Sequence, residues 1–132
     1  MEEERDSGYL QLIARTLLAL VFLFFGYEQI RTFGSTVYAI SAVGIQHANI
    51  AAVIALILEF GGSLLLILGY RARLAAVALI VFTALATYFY HRDIHDAAQL
   101  VMVLKNLSIV GGLLMVIAYG PGKLTLKTLV RV

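Results

Sequence analysis

Apolar residues along this chain fall into four long runs with no two-residue alternation. They extend over residues 10–33, 50–70, 72–90 and 98–119. About 20 apolar residues in a helix cross the hydrocarbon core of a bilayer. Inside that core the backbone must satisfy itself, as helices or as a closed barrel. Stretches such as Leu17-Leu-Ala-Leu-Val-Phe-Leu-Phe-Phe25 lack the period a barrel strand needs, so the pattern predicts four transmembrane helices. The link between the first two, from Arg31 to Asn49, contains Val37-Tyr-Ala-Ile-Ser-Ala-Val-Gly-Ile45. It is apolar but too short to cross, which predicts a short interfacial or re-entrant helix. A tight basic turn, Tyr70-Arg-Ala-Arg73, joins the second and third runs. Gly120-Pro-Gly122 stops the fourth.

These elements give an all-α, four-transmembrane-helix bundle in a single domain over residues 1–132. Gly61-Gly62 recurs as Gly111-Gly112, each followed by leucines and then a basic turn. Two related helical hairpins, or simply the frequency of Gly and Leu in membrane helices, account for that echo.

Composition agrees. Hydrophobic residues make up 61% of the chain and charged residues 14%, against about 25% charged in an ordinary soluble domain. Absence of Cys removes disulfides, thiolate nucleophiles and Cys-ligated clusters. The net charge of +2 comes from basic residues flanking apolar runs, so it points to membrane topology and not to nucleic acid. Arg5, Arg71, Arg73, Lys123, Lys127 and Arg131 fall on one side, and only Arg31 and Arg92 on the other. Both termini are therefore expected in the cytoplasm. The start, Met1-Glu-Glu-Glu-Arg-Asp6, is acidic, unlike a signal peptide, so the first run is expected to be retained.

Ionisable side chains within such runs cost something like 2.5 kcal/mol or more and must find partners. Here they are Arg15, Glu28, Glu59 and Lys105, with the amides Gln29 and Asn106. Counting residues from the helix ends places Glu28, Glu59 and Lys105 in the same half of the bundle. A buried triad is expected, with Gln29, Asn106 and Ser63 or Ser108 completing its hydrogen bonds. Such a triad either locks the helices together or lines a pocket for a polar head group. Arg15, about one turn above the terminal end, joins a binding site or snorkels to the interface.

His91 and His95, beside Asp93 and Asp96, have metal-compatible spacing but too few assured ligands, so no metal site is expected. Tyr residues cluster near the ends of the runs as an aromatic belt, with Tyr88 and Tyr90 the candidates for a pocket.

Several pieces together resemble the DoxX family of small four-helix bacterial inner-membrane proteins. They are Arg15-Thr-Leu-Leu-Ala-Leu-Val-Phe-Leu-Phe-Phe-Gly26, Ile57-Leu-Glu-Phe-Gly-Gly62, Leu68-Gly-Tyr-Arg-Ala-Arg-Leu74, Leu104-Lys-Asn-Leu-Ser-Ile-Val-Gly-Gly-Leu113 and Gly120-Pro-Gly122. The resemblance implies that Glu59, Lys105 and Asn106 are signature positions and Arg15 the first-helix arginine. It also implies a quinone-associated subunit of a membrane redox system, with quinone as ligand, no intrinsic cofactor, and a partner subunit supplying electrons. An assembly factor or lipid-binding scaffold without catalysis is the other function the family implies. A homo-oligomer is compatible with either. Two departures stand out: Gln29 replaces the basic residue many members carry, and the loop from His91 to Asp96 is short and poor in aromatics.

Overall fold

The computed structural model describes residues 1–130, apart from the side chain of Leu129; Arg131 of the basic tail lies outside the described residues. Among them are six helices: α1 (Glu2–Arg31), α2 (Phe33–Ala42), α3 (Ala48–Leu68), α4 (Ala72–Tyr90), α5 (Ala97–Tyr119) and α6 (Leu126–Val130). Four of these, α1, α3, α4 and α5, are long and apolar enough to cross a membrane. The helix over the first connection is α2.

Two boundaries differ from the apolar pattern, for physical reasons. Helix α1 begins at Glu2, eight residues before its apolar run. Hydropathy measures the buried span, whereas acidic Glu2, Glu3 and Glu4 favour the positive end of the helix dipole. It ends at Arg31 because Thr32 leaves the helical region, its hydroxyl bonding the Glu28 carbonyl at 2.8 Å. Restarting at Phe33 then changes the chain's direction and lays α2 against α3, burying Ile40 and leaving Tyr38 exposed.

The spans pack as α1 on α3, α3 on α4 and α4 on α5, with only a slight contact between α1 and α5. Small residues let the helices approach: Ala19, Ala52, Ala75 and Ala76 are all essentially inaccessible. Leu66, Leu79 and Leu113 fill the centre, and Phe22 meets Phe82 edge-on at 6.4 Å. Outward positions such as Leu17, Phe24, Ile57, Val81 and Leu107 are exposed and apolar. A surface of that kind suits lipid. The echoed glycine pairs have matching roles: Gly61 and Gly111 face open space, whereas Gly62 abuts Leu79 and Gly112 abuts Leu18.

Arg15 departs from the snorkelling expectation. It is 1% exposed and the largest of the fully buried side chains. Its guanidinium donates to the carbonyls of Leu66 and Ile67, both at 2.9 Å, and to that of Leu124. The last carbonyls of α3 have no partner within their own helix, and the negative end of its dipole lies there. Gly69, at φ +68°, ends α3, and a Cβ there would fall 2.5 Å from the guanidinium. The guanidinium thus ties α1, the α3–α4 turn and the segment after α5 into one knot.

Replacing Arg15 by Met removes the side-chain donor from three carbonyls, of which that of Leu66 keeps the Gly69 N–H at 3.2 Å, an expected cost of about 2–4 kcal/mol. Lys, a point donor without the planar fork, should restore only part of it. Thermal unfolding in detergent, followed by helical circular dichroism, checks the order wild type, R15K, R15M.

Candidate functional site

At the end of the bundle that carries α2, the helices diverge around a cavity of about 540 Å3. Its lining is mostly apolar, with polar groups entering from four spans. Glu59 and Thr83 come from α3 and α4, Gln29 from α1, and Lys105 with Asn106 from α5. Ile40 of α2 and Tyr90 with His91 at the end of α4 form its rim.

Glu59 is 1% exposed. An unpartnered carboxyl at that depth is costly, and Gln29 supplies the donor, its amide nitrogen 2.6 Å from Oε2. The geometry follows from helix period: residues 15, 22 and 29 of α1 recur every two turns on the face toward α3. Glu28 is rotated roughly 100° from Gln29. It lies outside the cavity and pairs with Arg31 at 3.1 Å. The expected triad is therefore corrected in its first member, and Gln29 holds the position assigned to Glu28.

Lys105 and Glu59 share the cavity but do not form an ion pair. The ammonium sits 4.4 Å from the centroid of the Phe25 ring, a cation–π contact from α5 to α1. Among the described residues the ion pairs are Glu28–Arg31 and Glu4–Lys123, both exposed. A carboxyl and an amine side chain thus face one apolar space without closing on each other.

Asn106 is aimed by α4. Its amide nitrogen donates to the Thr87 hydroxyl at 2.8 Å; that hydroxyl donates to the Thr83 carbonyl, and the Thr83 hydroxyl to Leu79. Sequence reasoning missed both threonines. The signal was available, because Thr83 and Thr87 are one turn apart in an otherwise apolar stretch of α4. Phe25 and Ile40 were missed as well, since apolar lining carries no local mark, whereas Tyr90, named from the sequence as a pocket candidate, does line the cavity.

Other candidates lie elsewhere. Arg15 is at the opposite end of α1, in the knot already described. Tyr88 points away from the cavity and carries Arg92 over its ring at 4.5 Å. Ser108 is exposed and bonds back to Leu104, while Ser63 is buried with no hydrogen-bond partner for its hydroxyl. His91 reaches the rim, but His95 is exposed in a non-helical turn, so the one-turn spacing does not bring them together. Asp93 and Asp96 serve that turn and the N-cap of α5. No group of three or more His, Cys, Asp or Glu side chains converges among the described residues.

The DoxX family model matches residues 10–92, well over half of the chain. The chain belongs to the DoxX family. It is similar to Inner membrane protein YqjF of Escherichia coli (strain K12), 31% identical over 131 residues, which is 99% of this chain and 98% of the relative. It is also similar to Inner membrane protein YphA of the same organism, 33% identical over 122 residues, covering 89% and 87%. No solved structure matches. The matched DoxX region ends before α5, so Lys105 and Asn106 lie in the part covered by the whole-length similarity to YqjF.

The Gln29–Glu59 contact makes a directional prediction for this DoxX protein. Gln29→Leu strands the carboxyl and should cost about 1–3 kcal/mol. Combining it with Glu59→Leu should recover most of that loss, because both polar groups then disappear together. Thermal unfolding of the two single variants and the double variant measures the coupling.

Proposed function

We propose that this DoxX-family membrane protein binds a quinone, as the ligand-holding subunit of a membrane redox system. The observation that carries this reading is the unclosed pair: a buried carboxyl and an ammonium open onto one largely apolar cavity, with an oriented amide beside the ammonium. Ligand sites of this kind combine apolar walls with a few placed polar groups. A quinone head is a flat apolar ring with two acceptor oxygens, and bound there it would supply two-electron redox chemistry.

Each side chain has a definable part. Lys105 donates toward one ring oxygen, and the second amide hydrogen of Asn106 is aimed by the threonine chain toward the same region. Glu59 accepts from a hydroxyl, so it suits the reduced form of the ligand, while Gln29 holds the carboxyl in place. Phe25 and Phe82 offer ring faces to pack on. Electrons come from a partner subunit in this reading.

Protein purified in lipid nanodiscs should carry quinone detectable by mass spectrometry of its extract. Lys105→Met should weaken binding of a short-tailed quinone at least about tenfold, measured by titration calorimetry. A folded protein that takes up no quinone, and co-purifies instead with one stoichiometric membrane partner, would replace this reading with an assembly or scaffold role.

The proposed location is the bacterial cytoplasmic membrane, with both termini in the cytoplasm. Basic residues support that orientation, being concentrated at the end carrying the α3–α4 turn and the Lys123–Lys127 segment. Since the chain has no Cys, single Cys substitutions report topology cleanly. Lys123→Cys should resist an impermeant maleimide in intact spheroplasts, and Arg92→Cys should react.

A further inference from the structure

Besides the α2-end cavity, a second hollow of about 400 Å3 lies toward the opposite end of the bundle. It is walled by Ala14 and Leu18 of α1 and by Gly112, Met115, Val116 and Tyr119 of α5. The two hollows occupy the same pair of facing helix faces. On α1 the positions run 11, 14, 15 and 18 into the second hollow, then 21, 22, 25 and 29 into the first. On α5 they run 102, 105, 106 and 109 into the first, then 112, 115, 116 and 119 into the second. Steps of three and four residues keep each set on one side of its helix. Of the packed pairs of spans, α1 and α5 also touch least.

Between the two sets of lining positions lies a close contact. Leu18 packs onto Gly112, where a Cβ would fall 2.8 Å from a terminal carbon of that leucine. At this level a flexible side chain stands opposite a residue that has none.

We infer that the α1–α5 seam is the channel for the apolar tail of the quinone. The tail runs from the head site at Lys105 past Leu18 and Gly112 into the groove beside Ala14 and Met115. This rests on the quinone reading above and extends it. Fourteen residues separate Lys105 from Tyr119, so the track is about 20 Å long at 1.5 Å per residue. A tail of that length fills both hollows, and a tail-less head group fills only the first. The seam faces lipid, so a long-tailed molecule enters sideways without passing through water.

Photolabelling tests this with two quinones, one bearing a diazirine beside the ring and one bearing it at the end of an extended tail about 20 Å long. In wild-type protein in nanodiscs, the ring-side probe should label residues 21–29 and 102–109. The tail-end probe should label residues 11–18 and 112–121. Leu18→Phe fills the constriction, and Ala14→Leu, at an exposed position that leaves the core intact, fills the groove. Each should lower tail-end labelling of the second hollow at least about tenfold and leave ring-side labelling unchanged.

Tail-end label on the outward faces of the helices or on α2, with ring-side label still competed away by a tail-less quinone, overturns the channel and leaves the head site standing. So does a second hollow labelled equally well by a diazirine phospholipid that long-tailed quinone fails to displace. Loss of competable ring-side labelling overturns the quinone reading and the channel with it.

Discussion

A guanidinium buried in an apolar bundle must be answered from within, since no water or counter-ion is at hand, and Arg15 is answered by backbone. The free carbonyls at the end of α3 are the strongest acceptors available at that level, and they carry the negative end of a helix dipole. Binding them fixes α1 lengthwise against α3 and draws in the segment after α5. Arg15 is therefore structural in the sense that matters most for the site: it sets the register in which everything further along α1 meets α3.

Two helical turns repeated along α1 carry that register to the other end. Phe22 enters the core, and Gln29 arrives opposite Glu59. Among the described residues that amide is the donor bonded to the carboxyl. On the far side of the cavity, Lys105 is held over Phe25 and Asn106 is turned by Thr87. Each polar group is thus satisfied by a neutral or aromatic neighbour and not by its opposite charge. Such an arrangement leaves Coulomb attraction available to a bound molecule, in an apolar setting where it is weakly screened.

The weak α1–α5 seam belongs to the same economy of contacts. Helix α5 is held mainly through α4, by the Thr87 bond and by packing of Leu113 and Val116 into the core. It needs little from α1, and the small residues Ala14 and Gly112 leave a hollow between them unfilled. A bundle that closed this seam would be better packed but would leave no room for the tail channel proposed above.

Long apolar runs, a tight basic turn and a glycine stop were enough to determine four spanning helices, their order and their antiparallel sense, because a bilayer leaves the backbone so few choices. The residue types of the site were equally legible: Glu59, Lys105, Asn106 and Gln29 are expensive in lipid and so announce themselves. Which of them meet was decided only by tertiary structure. Helix rotation, which depth counting does not contain, moved Glu28 outside and put Gln29 in its place. A helix end contributed by another segment turned Arg15 from a side chain reaching for the interface into the anchor of α3. Apolar walls, the constriction at Leu18 and the aiming of Asn106 by Thr87 likewise come from packing, where shape rather than chemical type selects the neighbour.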